Sequence, residues 1–376
     1  MIHVFLGTKA QYIKTAPLLR LMDERGVDYR LIDSGQHGAL SVGLREELSV
    51  RAPDHLLAEG SDIETIPQAI RWAAKLALRL LGSRRLRAEV FGGHGGVCVV
   101  HGDTPSTLLS ALMARRAGLH VAHLEAGLRS KHLLHPFPEE AIRRIVMRIS
   151  ALLFAPDAQA VANLRRMRVR GEVVALPANT VVEALAHDLE RAASGDSAEA
   201  DSDSAESPGP PGAGPALVTL HRVENLNRRE RVEALVRTVE SLAARAPVRF
   251  VQHGPTRDTL ARRGWDERLR AAGVELVGLA PHGQFTRWLH EAPLVITDGG
   301  SIQEECALLG VPTLLWRAAT ERPDGLGANV VLSRYRPEVV RAFLADPQAH
   351  RRPAATDLLK PSEVVLDHLL SCEGSA

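Results

Sequence analysis

The chain alternates short apolar runs with segments of helical hydrophobic spacing, and it does so twice along its 376 residues. The apolar runs Ile2–Leu6 and Val97–His101 are followed by helical patterns over Tyr12–Arg25 and Pro105–Ala117. Continuous apolar runs between helices are typical of parallel strands covered on both faces. The pattern restarts at Ala216–Leu220. We therefore predict an α/β protein with two Rossmann-like, doubly wound domains.

Between the two sets lies a tract, 194–214, of Ser, Asp, Glu, Ala, Gly and Pro with almost no large apolar side chain. Such a segment cannot bury enough surface to order itself, so we expect a mobile loop. The helical pattern before it could begin the second domain, and we place the boundary near Pro177. The predicted domains are 1–176 and 177–354, and a C-terminal helix at about 355–372 is expected to pack back on the first.

Composition excludes several classes of function. The formal net charge of +1 argues against nucleic-acid binding driven by bulk charge. Cys98, Cys306 and Cys372 are scattered, without a disulfide framework or metal motif, which is typical of a reducing compartment. No signal-peptide pattern is present, and no apolar run approaches ~18 residues. We expect a cytoplasmic protein that binds neither nucleic acid nor membranes.

Motifs for metals and cofactors are weak. His120 and His123 have H-x-x-H spacing, yet residues three apart on a strand point to opposite faces. The glycine-rich segment Gly92–Gly96 precedes a strand instead of following one, so it lacks the context of a dinucleotide-binding loop. We predict that the protein uses no metal and no cofactor.

Three acidic residues, Asp103, Glu125 and Glu139, lie where apolar runs end or helical patterns begin. Ligands of open parallel sheets bind beyond the carboxyl ends of the strands, so two facing domains would form one interdomain cleft around such residues. Clustered carboxylates there would form an acid/base site. Helix capping near Pro105 is an alternative for Asp103, and a favourable helix dipole is one for Glu139. Glu125 has no such alternative, because Ala-Gly follows it.

Two segments are candidate anion sites. Gly7–Lys14 leaves the first apolar run and enters a helix, where backbone N–H groups and a lysine can meet an anion. The alternative is a plain turn with solvated lysines. Thr297–Glu305 places two glycines before a helix start, which is typical of diphosphate binding. A capping box between Ser301 and Glu304 is the alternative there, and it leaves Glu305 unexplained.

His221 ends the apolar run 216–220, at the edge where this fold binds ligands. A structural histidine is the alternative. Together, these residues resemble the non-hydrolysing UDP-N-acetylglucosamine 2-epimerase family. The matching segments run in order over most of the chain: Gly7-Thr8, Ile13-Lys14, Ala16-Pro17, Gly35-Gln36-His37, Gly102-Asp103-Thr104, His123–Arg129, Pro136–Glu140, Asn179–Val181, His221-Arg222, Ile302–Glu305 and Thr320–Pro323.

The resemblance implies two Rossmann-like domains in a glycosyltransferase-B arrangement, a homodimer, and interconversion of UDP-GlcNAc and UDP-ManNAc. It implies that UDP is eliminated across C1–C2 to give 2-acetamidoglucal and is then added back. The C2 proton returns from the other face, which requires at least two acid/base groups.

Roles follow from the resemblance residue by residue. The implied catalytic residues are Asp103, Glu125, Glu139, Lys14 and His221. The residues implied to hold the UDP-sugar are Lys9, Gly299, Gly300, Ser301, Glu305 and Arg322. A second UDP-sugar, acting as an activator, would contact Gln36, Arg222 and His253.

The chain departs from the family pattern at three places. Lys9 stands where an arginine is usual, Gly299-Gly300-Ser301 replaces Ser-Gly-Gly, and Val223 replaces an arginine. These changes bear on nucleotide affinity and substrate identity. A hydrolysing epimerase, a glycosyltransferase of the same architecture and a catalytically silent nucleotide-sugar sensor are the alternatives, because fold alone does not separate them.

Overall fold

A computed structural model describes residues 1–36, 38–58, 82–129, 139–194, 209–355 and 359–373. The chain divides into two compact units, Met1–Ala184 together with Leu358–Ala376, and Leu185–Asp357. Each unit is an α/β layer structure, which confirms the predicted fold class. Most of the tract predicted to be mobile, 195–208, lies outside the described residues.

The described part of the first unit contains a seven-stranded parallel sheet with strand order β3-β2-β1-β4-β5-β6-β7. Its strands are β1 Ile2–Leu6, β2 Tyr29–Asp33, β3 His55–Leu56, β4 Val97–His101, β5 His120–Leu124, β6 Leu152–Ala155 and β7 Glu172–Ala175. The helices up to the second unit are α1 Lys9–Glu24, α2 Gly38–Glu47, α3 Ser83–Glu89, α4 Pro105–Arg116, α5 Glu139–Ile149, α6 Ala158–Met167 and α7 Val181–Ser194.

The second unit contains, within its described residues, a six-stranded parallel sheet with strand order β10-β9-β8-β11-β12-β13. Its strands are β8 Ala216–Leu220, β9 Val248–Gln252, β10 Glu275–Val277, β11 Val295–Thr297, β12 Thr313–Leu315 and β13 Val330–Leu332. Its helices are α8 Val223–Leu226, α9 Arg229–Ala243, α10 Gly254–Ala261, α11 Trp265–Ala271, α12 His282–Glu291, α13 Gly300–Leu309 and α14 Pro337–Ala345, followed by a 3-10 turn at Pro347–His350.

Both sheets reverse their strand order at one point, between β1 and β4 in the first and between β8 and β11 in the second. The crossovers on either side of such a point leave in opposite directions, so a crevice opens at the carboxyl ends of the two strands. Each unit therefore has a preferred ligand position at its switch point. The cleft predicted between the two units stays a prediction.

The division between the units falls inside α7, after Ala184, and not near Pro177 where the sequence placed it. Ala184 packs in the apolar core of the first sheet, whereas Leu185 packs in a core of the second unit. The C-terminal helix α15, Pro361–Glu373, returns to the first unit and packs on α1. Its side chains Val365, Leu366 and Leu369 are buried in the same core.

The helices in the described ranges are too short or too polar to cross a membrane. The central strands β1, β4 and β8 are fully buried, and their apolar side chains have little or no exposed surface. These strands hold the residues that follow them in fixed positions at the sheet edges.

Candidate active site

Glu125 follows β5 directly and adopts a left-handed backbone conformation, with φ of 63°. For a side chain other than glycine this conformation is strained, and the surroundings must hold it in place. Its Oε1 accepts hydrogen bonds from Lys14 Nζ at 2.6 Å and from Asn179 Nδ2 at 2.8 Å. The Glu125 carboxylate is thereby fixed by two donors from different parts of the chain.

Lys14 lies on α1 with only 3% of its side chain exposed. The alternative of a solvated lysine is therefore wrong for Lys14. Either charge alone would lose its hydration at this position. Paired at this distance, the lysine and the glutamate stabilise each other's charged forms. The pair places one positive and one negative charge at the switch point of the first sheet.

Asp103 follows β4, one strand away from Glu125. The N-cap of α4 is Thr104, whose hydroxyl accepts from the backbone N–H of Thr107, and Pro105 is the first helical residue. Asp103 is thus not the cap. Its carboxylate instead forms an ion pair with Arg143, which comes from α5.

Glu139 and Glu140 form the first turn of α5. Glu140 is completely buried and pairs with both Arg129 and Arg143. Glu139 lies one helical turn before Arg143 and hence on the same face of α5. Its Oε2 is buried and has no hydrogen-bond partner among the described residues. Pro136–Pro138, which precede Glu139 in the motif, lie outside those residues.

Glu125 lies close to the end of β4, since its Oε2 is 3.6 Å from the Cβ position of Gly102, the residue before Asp103. The buried ring of His123 donates from Nε2 to the carbonyl oxygen of Gly102 at 2.7 Å. Burial lowers the pKa of His123, while the charges of Asp103 and Glu125 act in the opposite direction. The pKa of His123 thus responds to the charges of both carboxylates, and Arg143 acts with burial to lower it.

The turn at Gly7–Lys9 uses its own backbone groups. Gln11 Oε1 accepts from the backbone N–H groups of Gly7 and Thr8, at 2.8 and 3.1 Å, and its Nε2 donates to the carbonyl of His101. These amides are consequently engaged inside the protein, and the anion site predicted from them is not provided by Gly7 and Thr8. Lys9 is the first residue of α1 and partly exposed, and its contact with substrate stays a prediction.

In the second unit, Asp298 links the two strands of the switch point. It follows β11, is fully buried, and accepts from the backbone N–H groups of His221 and Arg222 at 3.0 Å each. Asn225 donates to it from Nδ2 at 2.8 Å. His221, directly after β8, is thereby held against the end of β11.

The His221 ring is one-third exposed, and its Nδ1 lies 3.2 Å from Asp298 Oδ1. Burial lowers the pKa of His221, and the charge of Asp298 partly opposes this shift. The ring of His253 lies 4.9 Å away, measured between centroids.

Helix α13 begins at Gly300 with Gly299 as its N-cap, and no side chain caps it. The capping box proposed as the alternative for Ser301 and Glu304 is therefore absent. Glu304 instead accepts from Arg322 Nη1 at 2.9 Å. The first backbone N–H groups of α13 carry the positive end of the helix dipole, which suits an anionic ligand.

The glycines at this helix start allow close packing. A Cβ on Gly299 would lie 2.9 Å from Cε1 of His221, and one on Gly300 would lie 3.3 Å from Nε of Arg322. The helix start, His221 and Arg322 consequently surround the same point. Glu305 is buried on the next turn of α13, and its predicted contact with ribose stays a prediction.

Among the predicted activator contacts, Arg222 and His253 both lie beside His221. Arg222 also approaches Glu321 at 3.5 Å. Gln36 belongs to the first unit, after β2, and its Oε1 is buried without a partner in the described residues. The structure therefore brings Arg222 and His253 together, and the role of Gln36 stays a prediction.

Sequence reasoning missed three residues as members of the site, namely Arg143, Asn179 and Asp298. Arg143 lies four residues after Glu139, a spacing that puts both on one helix face. Asp298 follows an apolar run in the same way as Asp103 does. Asn179 comes from a loop within the matching segment Asn179–Val181, but no spacing connects it with Glu125.

No metal-binding cluster of His, Cys, Asp or Glu occurs in the part of the chain that the structure describes. His120 is exposed and His123 is buried, as expected for residues on opposite faces of β5. The H-x-x-H spacing therefore does not bring the two rings together.

The chain is similar to known proteins over most of its length. The family model described as UDP-N-acetylglucosamine 2-epimerase matches residues 20–354. A protein of that name from Methanocaldococcus jannaschii is 28% identical over 355 residues, which cover 91% of this chain and 90% of that protein. A crystal structure of the M. jannaschii UDP-GlcNAc 2-epimerase with UDP-GlcNAc and UDP has a TM-score of 0.80 at 26% identity, covering 98% and 99% of the two chains. The Neisseria meningitidis enzyme bound to UDP-GlcNAc has the same fold, with a TM-score of 0.80 at 23% identity and the same coverage.

Proposed function

This chain belongs to the UDP-N-acetylglucosamine 2-epimerase family, and on that premise we propose that it interconverts UDP-GlcNAc and UDP-ManNAc. The observation that carries the proposal is the group of acidic residues at the switch point of the first sheet. Glu125, fixed by Lys14 and Asn179, lies near Asp103, whose partner Arg143 shares a helix face with Glu139. A binding protein without catalysis has no need of a glutamate held in a strained backbone conformation beside a second carboxylate.

The reaction requires acid/base groups because the C2 proton has no neighbouring carbonyl to acidify it. We propose that a carboxylate removes this proton while the C1–O bond breaks and its electron pair leaves with UDP. The product is 2-acetamidoglucal. In the second step a phosphate oxygen of UDP adds back to C1, and a second group delivers a proton to the opposite face of C2. Atoms and charge balance over the two steps.

Glu125, Asp103 and Glu139 are the groups we propose for these proton transfers. Positioned acid/base groups contribute about 10²–10⁴-fold each to such steps. Lys14 supports Glu125 in its ionised form. Different surroundings separate the pKa values of two carboxyl groups, so that one can act as the base and the other as the acid.

We propose that the second unit binds the nucleotide part. The uncapped start of α13 at Gly299–Ser301 would hold the diphosphate, with Arg322 and His221 beside it and Glu305 at the ribose. Positive groups that face a departing phosphate stabilise the charge that develops on it. Family resemblance also leads us to propose a cytoplasmic homodimer.

The proposal is tested by incubating the protein with UDP-GlcNAc and separating the products by anion-exchange chromatography. We expect UDP-ManNAc to form while the total of UDP-sugars stays constant. Release of equal amounts of UDP and free ManNAc would instead identify a hydrolysing epimerase. Unchanged UDP-GlcNAc would contradict both.

A further inference from the structure

The carboxylate of Asp298 is held more rigidly than a ligand-binding role alone requires. It is fully buried and accepts two backbone N–H groups, from His221 and Arg222, and the side-chain amide of Asn225. Asn225 in turn accepts from the hydroxyl of Tyr335 at 2.7 Å. Asp298 thus has a fixed orientation from which Oδ1 faces the imidazole of His221.

This arrangement determines where the proton of a neutral His221 ring is located. Nδ1 is buried and lies 3.2 Å from Asp298 Oδ1, and among the described residues it has no hydrogen-bond partner of regular geometry. A nitrogen lone pair this close to a carboxylate oxygen would be repelled, so we infer that Nδ1 carries the proton. Nε2 of the neutral ring then presents a lone pair.

The groups that face His221 come from several elements. Asp298 after β11 and Glu224 on α8 favour the protonated ring, whereas Arg222 and Arg317 disfavour it. His253, at the start of α10, adds an imidazole 4.9 Å away. Burial is the largest influence and lowers the pKa of His221, which favours the neutral ring in the free protein.

A neutral ring in this tautomer does not suit the proposed ligand. The start of α13 packs against His221, with the Cβ position of Gly299 2.9 Å from Cε1 of the ring. A diphosphate on that helix start would meet the Nε2 lone pair with its own oxygen lone pairs. Both are acceptors, and the contact becomes a hydrogen bond only if Nε2 gains a proton.

We propose that His221 takes up a proton when the diphosphate of a nucleotide sugar binds, and that Asp298 is the positioning residue that orients the ring and stabilises the resulting imidazolium. The inference rests on the proposed nucleotide site. It gives His221 a charged N–H for the diphosphate in the complex, ready to stabilise UDP as it leaves. A carboxylate behind a histidine acts in this way in hydrolase triads, where it holds the tautomer and stabilises the cation.

The test is isothermal titration calorimetry with UDP-GlcNAc, in buffers of different ionisation enthalpy between pH 6.5 and 9. The slope of observed enthalpy against buffer ionisation enthalpy counts the protons taken up. We expect uptake that approaches one proton, because the diphosphate of UDP-GlcNAc does not titrate in this range. In the pH range where binding takes up one full proton, the affinity for UDP-GlcNAc should fall by up to about tenfold for each unit by which the pH rises.

Variants assign the proton. His221→Asn should abolish the uptake, and Asp298→Asn, which removes the negative charge and keeps one of the two acceptor oxygens, should reduce it. His120→Asn, an exposed histidine of the first unit, should leave the count unchanged. Glu125→Gln should also keep the uptake, which excludes turnover as the source of the protons.

The outcomes separate this inference from the proposed function. Binding of UDP-GlcNAc by the wild-type protein without proton uptake would overturn the inference alone. Uptake that persists in His221→Asn would overturn the assignment to His221. Absence of binding would overturn the proposed nucleotide site and the inference with it.

Discussion

Glu125 combines a strained backbone with a buried partner. Its φ of 63° turns the chain directly after β5 and directs the carboxylate to Lys14 and Asn179. Strain of this kind costs about 1–3 kcal/mol and persists where the surroundings fix the residue. A residue held at such a cost at the edge of a sheet is the natural candidate for a reactive group.

We predict that Glu125→Gln lowers kcat by about 10²–10⁴-fold, because the amide cannot accept the proton from C2. UDP binding should be unchanged, since we assign it to the second unit. Initial rates of UDP-ManNAc formation and calorimetric titration with UDP measure the two effects.

Glu172→Gln, at an exposed carboxylate on β7, is the matched control and should retain full activity. Since the Glu125 variant leaves Lys14 buried without its counter-charge, melting temperatures are recorded in parallel to separate lost catalysis from lost folding. A folded Glu125→Gln protein with wild-type kcat would remove Glu125 from the mechanism.

At the scale of single residues, the sequence predicted which residues are candidates for the site better than it predicted which residues they contact. Glu125 stood out because Ala-Gly follows it in place of a helix. Its contacts with Lys14 and Asn179 join residues 111 and 54 positions apart, and no local pattern encodes them. The pairing of Asp103 with Arg143 likewise depends on how α5 packs, which sequence spacing does not determine.

At the scale of elements, α5 supplies both a candidate acid/base group and its support. Glu139 and Glu140 are adjacent in sequence but differ in surroundings. Glu140 is engaged by Arg129 and Arg143, and Glu139 has a buried oxygen without a partner among the described residues. We infer that Glu139 is available for chemistry, whereas Glu140 orients Arg143 and, through it, Asp103.

Arg143→Ala should therefore lower kcat by about 10–100-fold with little change in KM, because Asp103 loses its orienting partner while the nucleotide site is untouched. Steady-state kinetics with UDP-GlcNAc measure both constants. Arg148→Ala, an exposed residue of the same helix, should behave as wild type.

A loss of activity expressed only in KM would contradict the positioning role of Arg143. So would equal effects of the Arg143 and Arg148 variants, which would indicate a general loss of helix stability. The two variants remove the same side-chain type from one helix, so their difference reports the contacts of Arg143 with Asp103 and Glu140.

Elements were predictable where their signals were local and long enough. The helix after β1 and the helix that begins at Gly300 follow from glycines, Pro and apolar spacing. The N-cap of α13 was harder to predict, because the sequence allows either a capping box between Ser301 and Glu304 or an N-cap at Gly299. In the structure Gly299 is the N-cap, and Glu304 pairs with Arg322 instead. The short strands β3, β10 and β13 carry too few residues for a periodic signal.

At the scale of the whole molecule, each unit gathers its candidate residues at its own switch point. In one sheet Asp103 follows β4, the neighbour of β1, and Glu125 follows β5, the next strand along; in the other sheet His221 and Asp298 follow β8 and β11. The division of labour we propose assigns proton transfer to the first unit and nucleotide binding to the second. Activity consequently requires both.

The most direct test of the account is to follow UDP-GlcNAc by ¹H NMR in deuterated water with catalytic protein. Removal and return of the C2 proton predicts that deuterium from solvent appears at C2 of both UDP-GlcNAc and UDP-ManNAc as they equilibrate. Glu125→Gln should slow this exchange in proportion to its loss of kcat. UDP-sugars that keep protium at C2 after prolonged incubation with the folded wild-type protein would contradict the account.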